Sequence, residues 1–528
     1  MEIDVKVRRG ETVKVKENLA DRVVRYFNPI KGKARLQSRI TTAVASGYAG
    51  GSRTRRSLKE WTPPGADADS DLLPDLPVLR QRSRDLTRNS PLACGAINTT
   101  VTSVVGPGLQ VKPLIDSEYL GLTDEQASEW EKTAKRLFNL WANSQECDLT
   151  RTQNFSEMQS LAFRSTLENG DIFTLLPMIK RAGSPFNLKL QFVEADRVEN
   201  EDFAPDTTAL AGGVEMDANG APAKYHILKT HPGNTYATTR DWQKVNAFGK
   251  KTGRRNVIHL FDRKRPGQNR GIPYLAPVIE TLKQLERYSE AELMAAVISG
   301  MFTVFIKTEG DGELDSFMPD TETGGKASDE DYKIANGAIV QLEPGDDIST
   351  ANPGRPNAAF DPFVLAILRQ VGVALEIPYE ILVKHFTASY SAARAAMLEA
   401  WRFFLTRRKF LETKWCQPIY EAFITEQVAE GRLHAPGFFS DPLTKQAYLG
   451  SIWTGRPQGQ IDPLKENNAD VIAEEHQWKT ASQITSEKTG QDWEQNIIQA
   501  GREELLRKGV GVKQGAPQLA QEQMKKNN

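Results

Sequence analysis

The chain has 528 residues, and its 67 basic side chains almost balance its 68 acidic ones, which leaves a formal net charge of −1. This balance excludes a protein that wraps nucleic acid with a broad cationic face, because such domains are usually strongly basic. Hydrophobic residues make up 39% and charged residues 26% of the chain, an ordinary globular composition. The length allows a sizeable core without disulfides or metal ions.

The three cysteines, Cys94, Cys147 and Cys416, lie far apart. No Cys-x-x-Cys pair is present, so neither a zinc module nor a disulfide framework is indicated, and a reducing compartment is expected. The charged N-terminus lacks the apolar core of a signal peptide, and the longest apolar run, at 295–306, is too short for a bilayer span. We therefore expect no membrane association.

The first 79 residues carry strand, arm and linker signals in turn. Residues 1–16 alternate apolar and charged side chains, which weakly favours strands. Residues 20–60 are rich in arginine and lysine and are expected to lack a packed core; this arm could bind phosphate or an acidic partner, or it could simply be solvated. Four prolines at 62–79 predict a linker. The Asp-Ala-Asp-Ser-Asp string at 67–71 lacks the glycine and distal glutamate of a calcium loop, so no metal is expected there.

Helical and strand patterns alternate along the next 190 residues. We predict one helix from Leu79 to Val105, a second after the capping-box sequence Thr123–Gln126, and a third from Phe155 to Leu167. Short apolar runs between turn residues then predict a β-rich segment at 171–262.

From Pro273 the apolar period is again that of a helix. A stripe at three-to-four-residue spacing predicts a helix of about 25 residues, formed by Leu275, Val278, Ile279, Leu282, Leu285 and Tyr288. Short strands are expected at 301–307 and 339–342, and residues 308–331 between them hold nine acids against one lysine.

The C-terminal third is predicted to be mainly helical. An apolar helix is expected at 361–375, and a polar loop leads into a long helix from about Ser391, which Pro418 should kink or end. Its apolar stripe comprises Met397, Leu398, Trp401, Phe404, Leu405 and Leu411. Two or three shorter helices follow at 463–508, and the last 20 residues should form a mobile tail.

Signatures of common enzymes are missing from the sequence. There is no phosphate-cradling Gly-x-x-x-x-Gly-Lys-Ser/Thr loop, no GxGxxG, no GxSxG and no HExxH. The six histidines are dispersed, and we interpret His226, His231 and His259 as structural. The acids of 308–331 lack an apolar framework that would hold carboxylate pairs rigidly. We therefore predict no catalytic residue, no metal and no cofactor; the pattern suits an assembly protein.

Four blocks of the sequence are informative together: RSRDLTRNSPLACGAINTTVTSVVGPGLQVKP at 82–113, VIHLFDRKRPGQNRGIPYLAPVIETLKQLERYSEAELMAA at 257–296, PYEILVKHFTASYSAARAAMLEAWRFF at 378–404 and GRPQGQIDPLKENNAD at 455–470. They resemble the lambda-type portal proteins of tailed bacteriophages, and they occur in that family's order. The resemblance implies an α+β portal-protein fold with long stem and wing helices, a β-rich wing segment and a small α/β clip.

The resemblance also implies a function and partners. Portal proteins form a homo-oligomeric ring, usually of twelve subunits, at one capsid vertex, through which double-stranded DNA passes without sequence preference during packaging and ejection. The terminase large subunit, head-completion or connector proteins, and the major capsid and scaffolding proteins are the implied partners. The implied location is the virion, with assembly in the host cytoplasm.

The family anatomy can be mapped onto this sequence by residue range. It predicts a partly flexible basic arm at 1–60, a wing at 61–272, stem helices at 273–300 and 361–376, a clip at 301–360, a tunnel-loop region at 377–391, a long wing helix at 392–440, a crown-like helical region at 441–508 and a flexible tail at 509–528.

Two groups of residues are site candidates under this interpretation. Lys384, His385, Ser389 and Tyr390 are candidates for contact with DNA in the channel, although the loop could merely cap the next helix through Ser389 or Ser391. The clip acids are candidates for docking a basic partner surface, or they could form a solvated loop that keeps rings soluble; they are Glu309, Asp311, Glu313 and Asp315.

The near-zero net charge suits a channel in which DNA slides, because each phosphate neutralised by a cation adds affinity. Two alternatives remain open at the level of sequence. One is another phage head structural or adaptor protein, and the less favoured one is a metal-dependent nuclease that uses the scattered carboxylates.

Overall fold

The computed structural model describes residues 2–6, 12–16, 23–24, 26–44, 49–51, 55–58, 60–237, 239–300, 304–307, 339–342, 359–386, 389–459, 463–489 and 493–510. Helices dominate and antiparallel sheets accompany them, so the predicted α+β class is confirmed. The chain divides between Asp67 and Ala68 into two compact units. The described helices include no segment with the length and sustained apolarity of a bilayer span.

The first unit begins with the predicted strands, which form an antiparallel hairpin in which Glu2 lies opposite Lys16. A helix that we did not predict follows within the basic arm, in keeping with the good helix propensity of lysine and arginine. The elements are β1 (Glu2–Lys6), β2 (Thr12–Lys16), α1 (Pro29–Val44) and a 3₁₀ turn (Ala49–Gly51).

Six helices and one strand open the second unit. They are α2 (Ala68–Leu72), α3 (Leu76–Asn89), α4 (Pro91–Val104), β3 (Gln110–Pro113), α5 (Ser117–Leu120), α6 (Asp124–Ala142) and α7 (Phe155–Asn169), with a 3₁₀ turn at Gln145–Cys147.

The single helix predicted from Leu79 to Val105 is wrong, because the chain breaks at Ser90. Proline disfavours helical backbone in the residue before it, and Ser90 adopts φ −94° and ψ 117°. Pro91 then begins α4, at a position where the missing N–H costs nothing. The predicted capping box is confirmed: Gln126 N–H donates to the Thr123 hydroxyl at 3.3 Å, and Thr123 N–H donates to Gln126 Oε1 at 3.0 Å.

The predicted β-rich segment contains two antiparallel sheets. One has the strand order β10-β4-β5, and the other is a meander of β6 to β9. Their bounds are β4 (Asp171–Leu175), β5 (Gln191–Val193), β6 (Leu210–Ala211), β7 (Val214–Met216), β8 (Pro222–Leu228), β9 (Trp242–Asn246) and β10 (Val257–Phe261), with 3₁₀ turns at Ala195–Arg197 and Glu201–Phe203.

Two helices and two short strands follow, as predicted, and the two strands pair in parallel. After a 3₁₀ turn (Ala276–Val278) they are α8 (Ile279–Gly300), β11 (Val304–Lys307), β12 (Ile339–Leu342) and α9 (Phe360–Ala374).

The remaining elements are α10 (Tyr379–Leu382), α11 (Tyr390–Leu411), a π-helical turn (Glu412–Cys416), α12 (Gln417–Ala429), α13 (Pro442–Tyr448), β13 (Ser451–Thr454), α14 (Pro463–Glu475), α15 (Ala481–Thr489) and α16 (Trp493–Val510). Pro418 lies in the first turn of α12 rather than inside α11. Strand β13 pairs with β3, so Thr454 lies opposite Gln110. The tail after 510 lies outside the described residues.

A large aromatic cluster forms the centre of the main core. Phe155 stacks on Trp415 with ring centroids 5.2 Å apart, and Trp141 contacts Phe423 at 5.3 Å. The indole N–H groups are satisfied: Trp141 donates to the carbonyl of Leu188 at 3.0 Å and Trp415 to the hydroxyl of Thr174 at 2.9 Å. Helices α6, α7 and α12, the π turn and the strand β4 therefore share one interior.

The apolar stripe predicted on α11 is only partly buried. Phe404 and Leu411 lie in the core, but Leu398 is 45% and Leu405 44% exposed. The stripe predicted from Leu275 onward is confirmed, since Leu275, Val278, Leu282 and Leu285 are all buried.

Candidate functional site

A buried charge network lies where the helices meet the three-stranded sheet. Asp171, the first residue of β4, is fully buried. Arg270 reaches it from the segment after β10, with Nε 2.6 Å from Oδ2 and a terminal nitrogen 3.2 Å from Oδ1. Arg80 of α3 donates to Oδ1 at 3.0 Å, and His259 Nε2 lies 3.3 Å from Oδ2. We call these four residues the Asp171 network.

The remaining donors of Arg270 bind backbone carbonyls. One terminal nitrogen donates to Val198 at 2.6 Å and to Gly212 at 2.7 Å, and the other donates to Ala195 at 2.8 Å. A buried ion pair is tolerated when its geometry is good and its other donors are satisfied. Arg270 meets both conditions and joins the two sheets to the segment that leads into α8.

Burial and neighbouring charges determine the protonation states of the side chains in the Asp171 network. Burial alone would raise the pKa of Asp171, but Arg270 and Arg80 outweigh it and hold that pKa well below its ordinary value. Burial lowers the pKa of His259 despite the nearby carboxylate. Burial and the charge of Arg270 lower the pKa of Arg80 to about 10. At neutral pH the network therefore contains two guanidinium cations, one carboxylate and a neutral imidazole.

Two glycines let the backbones cross beside this network. Gly170 has φ +90°, and a Cβ on Gly271 would lie only 1.9 Å from the carbonyl oxygen of Gly170. Gly271 N–H also donates to Asp171 Oδ2 at 3.1 Å. This crossing sets the position from which the chain enters Pro273 and α8.

Helices α8 and α9 pack together through their apolar faces. Tyr288 contacts Phe360 and Phe363, with ring centroids 5.5 and 5.2 Å apart. Val371 of α9 and Leu282 of α8 are buried in the main core. The pair is therefore anchored at one end by the core.

The same two helices expose apolar side chains elsewhere. Leu293 is 65%, Met294 55% and Val297 44% exposed on α8, and Val373 on α9 is 81% exposed. Leu293, Met294 and Val297 lie within five residues of one another on α8, and an exposed apolar patch of this kind commonly marks an interaction site.

The loop between α10 and α11 holds the predicted channel residues. Lys384 and His385 are exposed, and Lys384 has φ +56°. His385 N–H donates to the carbonyl of Glu380 at 3.0 Å. Ser389 is the N-cap of α11, since its hydroxyl accepts from Ala392 N–H at 3.4 Å. The capping alternative thus holds for Ser389, while a DNA contact by the loop stays a prediction.

Other predicted site residues fall outside the described part of the chain. Tyr390 is the first residue of α11, but its side chain is outside the described residues. The four clip acids, Glu309, Asp311, Glu313 and Asp315, also lie outside them.

A cluster that the sequence did not predict lies near Arg84. Ligand atoms of Glu194, Asp196 and His231 lie within 4.8 Å of one another. The guanidinium of Arg84 contacts both carboxylates, and Arg80 lies 3.6 Å from Asp196. Because arginine already neutralises the carboxylates, these residues fit an ion-pair cluster better than a metal site.

The structure also shows the partners of His226 and of the acids in the calcium-like string. His226 is buried and lies 3.3 Å from Glu215, as expected for a structural histidine. In the calcium-like string, Asp69 accepts from the backbone N–H of Asn269 at 2.9 Å, and Asp71 pairs with Arg265 at 2.6 Å. These acids therefore hold the segment that carries Arg270.

Comparison with known proteins identifies the class to which this fold belongs. A family model described as phage portal protein, lambda family, matches residues 54–408, about two thirds of the chain. The chain belongs to the lambda family of phage portal proteins. The predicted resemblance, and with it the assignment as a portal protein, is confirmed.

Individual relatives have low sequence identity to this chain but match most of its length. Portal protein B of Escherichia phage lambda is 24% identical over 486 residues, which cover 88% of this chain and 90% of that protein. The portal protein of Escherichia phage N15 is also 24% identical, over 88% of this chain and 91% of its own. Among solved structures, the neck of an empty gene transfer agent particle, computed with C6 symmetry, matches with a TM-score of 0.41 and 13% identity over 75% of this chain and 99% of its own.

Proposed function

We propose that this portal protein assembles into a closed ring, usually twelve-membered in its family, at one vertex of the capsid. Double-stranded DNA passes through the ring during packaging and ejection. The protein shapes the channel and supplies no catalysis, so the terminase provides the energy of translocation. Family membership over residues 54–408 supports this function.

The proposed anatomy follows the ranges predicted from the sequence. Helices α8 and α9 form the stem, residues 301–360 the clip, and residues 377–391 the tunnel-loop region. The wing takes in residues 61–272 and the helical stretch at 392–440, and residues 441–508 form the crown. The terminase large subunit and the head-completion or connector proteins dock on the clip, while capsid and scaffolding proteins surround the ring.

The observation that supports the proposed ring is the exposed apolar surface of α8 and α9. A closed ring is built from head-to-tail contacts, so each subunit needs two different complementary faces. Burying apolar surface is worth roughly 25 cal/mol per Å². Leu293 and Val297 on α8 are 65% and 44% exposed, so a neighbouring subunit would gain by covering them.

Electron microscopy and native mass spectrometry of the purified chain test the proposal. We expect rings with a central hole wide enough for B-form DNA. The double variant Leu293→Asp/Val297→Asp should lose rings, because each contact would bury an unpaired carboxylate. Gln284→Asp on the same helix is the matched control and should keep them, since Gln284 is exposed and polar.

Circular dichroism separates loss of assembly from loss of folding in the double variant. A wild-type chain that remains monomeric under all conditions would contradict the proposal. Hydrolysis of nucleotide by the purified chain alone would contradict the proposed lack of catalysis.

A further inference from the structure

A cationic groove runs between α6 and β3 on one side and α15 and α16 on the other. It consists of two adjoining cavities of about 550 and 680 Å³. The two cavities share several lining residues, which makes the groove continuous; these are Lys112, Lys132, Lys135, Asn139 and Ile498. We call it the α6–α16 groove.

The charge of the α6–α16 groove differs from that of the whole chain. Five cationic side chains line it against two carboxylates, Glu131 and Glu494, whereas the chain as a whole has a net charge of −1. The cations come from three separate elements: Lys112 from β3, Lys132, Lys135 and Arg136 from α6, and Arg502 from α16.

The spacing of the α6 cations is unfavourable for the isolated helix. Lys132 is followed by Lys135 three residues later and by Arg136 four residues later, so the three share a face, and like charges at these spacings destabilise a helix. Lys112 and Lys135, like Glu131 and Glu494, already have interactions within the chain. Among the described residues, Lys132, Arg136 and Arg502 take part in no ion pair. An anion from outside the chain would relieve this repulsion.

We propose that the α6–α16 groove binds the phosphate backbone of duplex DNA, as a second contact apart from the tunnel loop. The inference rests on the proposed function, which puts α15 and α16 in the crown of a ring through which double-stranded DNA passes. Cations spread over three elements suit an extended polyanion better than one small anion. The neutral donors Asn139, Ser486 and Gln499 also line the groove, and such side chains commonly contact phosphate oxygens.

Few contacts make this a weak, salt-sensitive attachment. Each phosphate neutralised contributes about −0.9 to the slope of log affinity against log salt concentration for B-form DNA. A groove with a handful of cations can therefore hold the last packaged turns of DNA and still release them. Contacts to phosphates do not read the base sequence, so the groove should bind DNA duplexes of different sequence equally well.

The test compares Lys132→Gln/Arg136→Gln/Arg502→Gln with the wild-type chain in duplex binding. Fluorescence anisotropy of a labelled duplex of about 30 base pairs, with KCl varied from about 50 to 200 mM, gives the slope. We expect the triple variant to have a slope shallower by about 2.7, because three phosphate contacts are lost. The single variants Arg136→Gln and Arg502→Gln should each reduce it by about 0.9, which keeps the test valid if the triple variant misfolds.

The matched control is Lys180→Gln/Lys250→Gln/Lys251→Gln. These three lysines are exposed in the β-rich segment and do not line the groove, so the slope should stay at the wild-type value. The inference is overturned if the wild-type chain does not bind duplex, if groove variants bind as the wild type does, or if the control loses as much.

Electron microscopy of the same samples separates this inference from the proposed function. Rings that form normally while the groove variants bind duplex unchanged would overturn the groove and leave the ring standing. Absence of rings together with a reduced slope in the groove variants would overturn the ring and support the groove.

Discussion

Arg270 clamps Asp171 through two of its nitrogens, at 2.6 and 3.2 Å from the two carboxylate oxygens, with both side chains fully buried. The two residues are 99 positions apart. Their pairing holds the start of β4 against the segment that leads into α8, so the position of the proposed stem depends on a buried charge pair in the proposed wing.

Removing the cation from this pair should destabilise the protein strongly. Arg270→Met leaves the carboxylate of Asp171 buried with fewer partners, and breaking a buried pair costs about 3–5 kcal/mol. Urea denaturation of the full chain measures the free energy of unfolding. Arg265→Met is the control: Arg265 pairs with Asp71 at 2.6 Å but is half exposed, and exposed pairs contribute about 0–1 kcal/mol. Equal losses in the two variants would contradict a special role for Arg270.

The stability of the second unit should fall as the pH drops below about 6.5, the ordinary pKa of histidine. Burial lowers the pKa of His259 in the folded state, so between that lowered value and 6.5 the unfolded chain binds a proton that the folded chain does not. The free energy of unfolding then decreases with falling pH by up to about 1.4 kcal/mol per pH unit.

His259→Gln should flatten this pH dependence, as urea denaturation between pH 5 and pH 8 will show (roughly the range in which histidine titrates). His385→Gln is the control, because His385 is exposed in the loop after α10. A slope that His259→Gln leaves unchanged would show that other groups cause the pH dependence.

Local signals in the sequence predicted many of the helices and strands, but they could not predict the Asp171 network, for a physical reason. The Thr123–Gln126 capping box joins residues three positions apart, so its pattern is visible in the sequence, and the structure forms both of its hydrogen bonds. Asp171 meets Arg80 and Arg270 from 91 and 99 positions away, and no spacing rule connects them. The sequence offered only an indirect signal for this contact. A glycine precedes Asp171 at position 170 and another follows Arg270 at position 271, where the two backbones approach closely.

The wrong prediction of one helix across Ser90 and the only partly buried stripe on α11 have different causes. The apolar period continues through Ser90 and masks the break that Pro91 imposes. On α11, the stripe includes Leu398 and Leu405, which are 45% and 44% exposed. A sequence pattern reports that a helical face is apolar, and it does not distinguish burial within one subunit from burial between subunits.

The clip acids should contribute to partner docking through charge. Neutralising Glu309, Asp311, Glu313 and Asp315 together to the corresponding amides should weaken capture of the terminase or connector in a low-salt pull-down, because charge complementarity speeds encounter and sets register. Neutralising Glu118 and Glu125, exposed acids of α5 and α6, is the control and should leave capture unchanged. Equal capture by the clip variant and the wild type would contradict a docking role.

Lys384 offers the sharpest test of the tunnel loop, because its side chain is exposed and its backbone has φ +56°. Lys384→Ala removes the charge but keeps a non-glycine residue in the left-handed conformation, so the backbone cost stays similar. We expect rings to form normally while DNA packaging or retention in filled heads changes. Lys409→Ala, an exposed lysine on α11 that pairs with Glu412, is the matched control and should package normally. If Lys384→Ala gives wild-type packaging efficiency and a wild-type yield of full heads, Lys384 does not contact DNA in the channel, and Ser389 retains only its role as the N-cap of α11.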